Sequence, residues 1–284
     1  MGEMDSTEKT EEYVPQEQID IVVDRFSQLY GIDVDKEKCN FKLELVNQDE
    51  WFEKLAEKEI KSAIGQEFDV PKETVDNYIK KNKDRIPFGE WFPIEKKGYV
   101  AKDTTPAGYS HTVNHELVHA IASLKGRGFS VGSFMEQIHS FEGINGYGRK
   151  NLNEAATEVL AIGLSINSAN IEDIGKVLIS RYRNLAMGKM GQESVEELYF
   201  YMIETFSLVI LMQELNITTQ ELARNYVDGD YKSFAKRVID GYTEKYPTEK
   251  MMEWDDKTFK DHERIKKCAN SLAMNEYDLK ILEL

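Results

Sequence analysis

Two histidines and a glutamate stand in one short run, His115-Glu116-Leu117-Val118-His119. On an α-helix, residues four apart differ by about 40° in direction, so both imidazoles leave one face and Glu116 lies beside them. Leu117, Ile121 and Leu124 fall on the opposite face and give the helix an apolar back. Imidazole nitrogens one turn apart suit a divalent ion of the zinc type, and a carboxylate at their side is placed to move a proton. The chain has five histidines, and a chance run of this form is expected on the order of 1% of the time.

Catalytic zinc takes three protein ligands and keeps a fourth position open. The candidate third ligand is Glu154, in Asn153-Glu154-Ala155-Ala156-Thr157-Glu158. Glu154 and Glu158 are four apart and share a helix face. Leu152, Ala156, Val159 and Leu160 form the other side, and Ala155 and Ala161 are small enough for close helix approach. Alone, such an acidic pair reads as a solvated face. Downstream of His-Glu-x-x-His it reads as a metal ligand, Glu154, followed by Glu158, which accepts the N–H of a ligating imidazole and holds its ring. Tyr147 lies between Gly146 and Gly148 and is expected on a bend, seven residues before Glu154. Its phenol can donate to an oxyanion; a packing tyrosine is the plainer reading in a chain with 14. The chemistry is hydrolysis. A water on such a zinc has its pKa lowered toward ~7. Glu116 takes its proton and passes it to the leaving amine, while zinc and Tyr147 stabilise the oxyanion.

The run His-Glu-x-x-His followed by Asn-Glu-x-x-Thr-Glu resembles the gluzincin metallopeptidases. The fuller set, Tyr147-Gly148-Arg149 with Asn151, Glu154 and Glu158, looks closest to the group of the anthrax lethal factor catalytic domain and the clostridial Pro-Pro endopeptidases. The resemblance implies zinc on His115, His119 and Glu154, Glu116 as base and Tyr147 as electrophilic helper. It covers about fifty residues, His111 to Leu160, and does not carry substrate preference with it.

Other candidates read more plainly. His111 shares the imidazole stripe, but eight residues of helix rise about 12 Å, too far for it to join His115 and His119 on one ion. It is expected as a cap or surface side chain, with lining of the cleft as the alternative. His139 reads as a bystander or a second cleft donor, and His262 as structural. Gly143, Gly146 and Gly148 lack the context and the Lys-Ser/Thr ending of a phosphate loop. Two rivals to a peptidase remain. One is a zinc amidohydrolase acting on a non-peptide substrate, weakened because Cys39 does not sit in a ligand motif. The other is a non-catalytic binding protein that keeps a metal site.

The elements that must position these residues follow from periodicity. Ile19, Val22, Val23, Phe26, Leu29 and Tyr30 mark a helix ended by Gly31. Phe41, Leu43 and Leu45 mark a half-buried strand. Helices are expected over about 49–60 and 72–81, then loop and a short strand near Tyr99–Ala101. Further helices are expected at 110–124, 151–164, 171–185, 195–215, 231–242 and 265–272, with 126–150 as a connector. The expected fold is α+β and zincin-like: an acidic tail over 1–16, an α/β lobe over 17–125 ending in the His115 helix, and a helical lobe over 126–284. With 36 basic and 51 acidic residues the net charge is −15. That balance argues against nucleic acid and anionic membrane surfaces as partners and leaves a peptide or protein substrate. Two cysteines make no disulfide scaffold. The longest apolar stretch, Leu198–Leu215, is interrupted by Glu204 and Glu214 and reads as a core helix. The expected location is the cytoplasm; the pattern sets no oligomeric state.

Overall fold

A computed structural model describes residues 12–64, 70–82, 89–92, 96–102, 106–125, 128–129, 145–186 and 202–272. Among the described residues the β-structure is one mixed four-stranded sheet: β1 (Glu12–Tyr13), β2 (Lys42–Val46), β3 (Gly89–Phe92) and β4 (Lys97–Ala101). The strand order is β1-β2-β4-β3. β2 and β4 run parallel in the register Leu43↔Gly98 to Val46↔Ala101, and both outer pairs are antiparallel. Period-two alternation sends Leu43 and Val100 into the main core with Phe41 and Trp91. Val46 and Ala101 face the other way, onto Trp51, Phe52 and Leu55 of α2 (Gln48–Ile64). The strand read as half-buried is therefore covered on both faces, and Glu44, buried on the α2 side, is held by Lys97 at 2.5 Å. α3 (Lys72–Asn82) packs on α2 through Val75 against Ala56 and Ile60.

α1 (Gln16–Tyr30) buries Ile19, Val22, Val23, Phe26 and Tyr30 and ends on Gly31, whose φ of 66° is left-handed and suits glycine. The remaining α-helices among the described residues are α4 (Pro106–Ser123), α5 (Asn145–Ile166), α6 (Ile171–Ala186), α7 (Met202–Glu214), α8 (Thr219–Asp228), α9 (Tyr231–Lys245) and α10 (Asp256–Ser271). α5 is the central one. From Leu152 to Leu164 its apolar residues are wholly buried, and Ala155, Ala156 and Ala161 let neighbouring helices close on it. α4 turns Val113, Leu117 and Ile121 into the same core. Each such side chain contributes roughly 1.5–3 kcal/mol by burial, so the two helices are locked in register by their apolar backs. The chain is thus α+β and mostly helical.

Several boundaries differ from the sequence expectation. Residues 12–16 are not tail: Glu12 and Tyr13 pair with Leu45 and Glu44, Val14 is buried, and helix begins at Gln16. Residues 1–11 lie outside the described set. The aromatic segment after Ile86 yields a second strand, β3, that the scattered prolines obscured. α4 starts at Pro106, since proline is favoured in a first helical turn. α8 was not expected at all, and residues 187–201, which include the first part of the helix expected over 195–215, lie outside the described residues. Both cysteines are free and buried. Among the described residues no helix is long and apolar enough to cross a membrane.

Candidate metal centre

α4 and α5 lie side by side, and their polar stripes interdigitate. α4 offers His111, His115 and His119 on successive turns; α5 offers Glu154 and Glu158. Each carboxylate sits between two imidazoles. Glu154 Oε2 is 3.3 Å from His119 Nε2 and 3.5 Å from His115 Nε2. Glu158 Oε2 is 3.2 Å from His115 Nδ1 and 3.0 Å from His111 Nε2. All five side chains are between 14% and 18% exposed, so the stripe is enclosed but reachable.

Donors about 2.0–2.1 Å from a tetrahedral ion stand about 3.3–3.4 Å apart. The Glu154 oxygen and its two imidazole nitrogens come close to that spacing, and the three donor atoms lie within 4.8 Å of one another. This set can hold a metal ion. His111, His115 and Glu158 form a second close group. It reads differently, because His115 Nδ1 must keep its proton to leave Nε2 free for the first group. Arg181 of α6 also reaches Glu158 Oε1 at 3.5 Å, placing a fixed positive charge there. Glu158 is therefore a carboxylate that steadies two rings.

Charge follows the same division. Burial alone would push the Glu154 carboxyl up, but His119 and His115 hold it far below the usual range. Burial likewise opposes ionisation of Glu158, and His111 and His115 again pull it well down. Burial would depress His115, and hydrogen bonds to Glu154 and Glu158 lift it well above its ordinary value instead. Glu116 differs. It is buried, its Oε2 has no hydrogen-bond partner among the described residues, and burial raises it to about 7 against the pull of His115 and His119. Gly89 on the edge strand β3 makes the room: a Cβ there would meet Glu116 Oε1 at 2.8 Å.

His115, His119, Glu154 and Glu158, singled out from spacing, thus come together, and Glu116 lies beside them against Gly89 of β3. Tyr147 does not lie on a bend. Its backbone is in the first turns of α5, two turns before Glu154, and its side chain is outside what the structure describes. His139 lies outside the described residues. His111, expected as a cap or surface residue, is instead a partner of Glu158. His262 packs among Tyr242, Tyr246, Trp254 and Phe259, away from the centre.

Three contributors were not anticipated. Arg181 braces Glu158. Thr157 and Tyr226 reach the far nitrogen of His119, at 3.4 Å and 3.2 Å. Thr157 was readable, one residue before Glu158 on the same helix. Tyr226 sits on α8, whose start and stop were also in plain view: a Thr218/Glu221 capping box and Gly229 at the C-cap. No protein-family model matches the chain, and neither does any curated protein or solved structure.

Proposed function

We propose that the chain is a zinc-dependent endopeptidase of the gluzincin type, with a zincin-like fold, acting on peptide or protein substrates. The observation that carries this reading is the close approach of Glu154 Oε2 to both His115 Nε2, at 3.5 Å, and His119 Nε2, at 3.3 Å, beside a buried glutamate whose Oε2 has no hydrogen-bond partner among the described residues. Bound there, zinc supplies Lewis acidity toward a water and a scissile carbonyl.

The side chains supply the rest. Glu116, raised to about 7, can take a proton from water at neutral pH and give it to the leaving amine. Its unpartnered oxygen lets it do so without first breaking a hydrogen bond. Glu158 holds His115 through Nδ1, so that Nε2 points at Glu154. Tyr147, on the same helix as Glu154, is the proposed donor to the developing oxyanion, as the resemblance to the lethal factor and Pro-Pro endopeptidase group implies.

The test is turnover of a peptide library by zinc-loaded protein, with and without a chelator. Cleavage abolished by the chelator and restored by zinc supports the reading. Glu116→Gln keeps zinc and loses roughly 10²-fold or more in rate through loss of the base. Zinc binding with no cleavage of any peptide would favour the non-catalytic rival, and unchanged cleavage by Glu116→Gln would remove the assigned base.

A further inference from the structure

A ligating imidazole must present a lone pair on one nitrogen, and its other nitrogen then carries the proton. For His119 the ligating atom is Nε2, facing Glu154, so the question is what takes the Nδ1 proton. No carboxylate does so among the described residues. Two hydroxyls lie within reach: Tyr226 Oη at 3.2 Å and Thr157 Oγ1 at 3.4 Å, themselves 2.6 Å apart.

Counting protons fixes the direction. Thr157 has one, and it donates to the Asn153 carbonyl at 2.9 Å. The Tyr226 hydroxyl then donates to Thr157, and its oxygen is left as an acceptor toward His119. The relay runs from His119 Nδ1–H through Tyr226 and Thr157 to the Asn153 carbonyl, each hydroxyl giving one proton and taking one. Reversed, Tyr226 would donate to Nδ1, Nε2 would carry the proton, and the Asn153 carbonyl would lose its hydroxyl.

Both ends of the relay are clamped. Tyr226 is fully buried, with Phe129 edge-on at 5.3 Å. Asn153 accepts the Phe129 N–H through its side chain at 3.0 Å. Gly128, at φ +67°, presses its backbone onto the two: a Cβ would meet Asn153 Oδ1 at 2.5 Å and Tyr226 Cε2 at 2.8 Å. The turn shortly after the His115 helix thus holds the tyrosine against the last imidazole of that helix.

We propose that Tyr226 is a positioning residue for the metal centre, accepting the Nδ1 proton of His119 and so keeping Nε2 open to a cation. The inference rests on the zinc reading above. It gives the two imidazoles unlike partners, a charged carboxylate for His115 and a neutral hydroxyl pair for His119. Outer partners of this kind typically contribute 10–100-fold in metal affinity.

The experiment is a zinc competition titration of the full chain against a chromophoric chelator. Tyr226→Phe should bind zinc about 10–100-fold more weakly. Tyr30→Phe is the control. Tyr30 is equally buried and donates to Leu160 on the same helix α5 at 2.7 Å, away from the site. It should leave zinc affinity unchanged. Should Tyr226→Phe fold poorly, the relay is cut at Thr157: Thr157→Val should weaken zinc and Thr157→Ser should keep it. Wild-type affinity in Tyr226→Phe, or an equal loss in Tyr30→Phe, overturns the assignment of Tyr226 while leaving the zinc reading intact. A wild-type chain that binds no zinc overturns both.

Discussion

Gly89 decides how much room the proposed base has, and adding one methyl group there tests the base directly. In Gly89→Ala the new Cβ would stand 2.8 Å from Glu116 Oε1, 2.8 Å from Thr112 Cγ2 and 3.0 Å from Glu116 Cγ. Ordinary contact begins near 3.4 Å, so the carboxylate or the edge strand must give by about 0.6 Å. Overpacking of this kind costs about 1–3 kcal/mol, and each kcal/mol lowers the melting temperature by about 2–4 °C at this chain size. None of the three proposed ligands is among the groups nearest the new Cβ, so zinc stoichiometry should stay at the wild-type value. A catalytic group displaced by up to 1 Å loses up to ~10²-fold in rate, and a fall of at least ~10-fold in kcat is expected here. The assay combines metal analysis, thermal unfolding and turnover of one peptide. Lowered stability with wild-type kcat would refute Glu116 as the base acting from this position. Unchanged stability and unchanged kcat would refute the packing argument.

Glu154→Ala should weaken zinc by more than ~10²-fold, and Glu158→Gln by about 10–100-fold, in the same chelator titration; full retention in the first would remove Glu154 from the ligand set. Tyr147→Phe should lower kcat by roughly 10²–10³-fold at unchanged zinc content if the phenol donates to the oxyanion, and an unchanged kcat would leave Tyr147 a packing residue. Away from the site, Glu214 is held below its ordinary pKa by Lys245, with Arg264 assisting. A depressed carboxylate adds stability above its unfolded pKa of about 4.3, and this is lost as pH falls through the folded value. Glu214→Gln should therefore be less stable than wild type at pH 7 by up to about 1 kcal/mol, with the gap closing below pH 4 in urea titrations; a gap independent of pH would contradict the pairing.

The stripes on α4 and α5 were legible because they depend on one helical turn. His115 and His119, like Glu154 and Glu158, are four apart, and a spacing of four survives any tertiary arrangement that keeps the helix. What the stripes meet was a weaker inference, resting on apolar backs that had to be buried together. Tyr226 lies 107 residues from the imidazole it touches, and no local pattern encodes such a contact. Glu44 shows the same limit on a small scale. Its alternation with Leu43 and Leu45 suggested a solvated face, and only the placement of α2 over that face made it buried and paired. The start of α5 failed for another reason. Gly146 and Gly148 favour turns locally, yet the segment continues a helix whose later residues are fully buried, and packing overrode the weak local preference.

Three carboxylates meet in the centre, and their environments separate them without reference to any bound ion. Glu154 and Glu158 each lie against two imidazoles, and that contact outweighs burial and keeps them ionised. Glu116 is more deeply enclosed and lies against β3, and its Oε2 has no hydrogen-bond partner among the described residues, so burial wins and the group is raised to about 7. Opposed shifts among neighbouring acids are how one site divides binding from proton transfer. A carboxylate kept ionised by the groups it hydrogen-bonds is a poor base, because giving up its charge would weaken those contacts. One kept near neutrality by burial can gain and lose a proton at little cost. The helix geometry accounts for the split: at about 100° from His115, Glu116 stands beside the stripe that Glu154 and Glu158 meet rather than within it. The glutamate inside the histidine run is thus excluded from the imidazole stack by the same spacing that builds it.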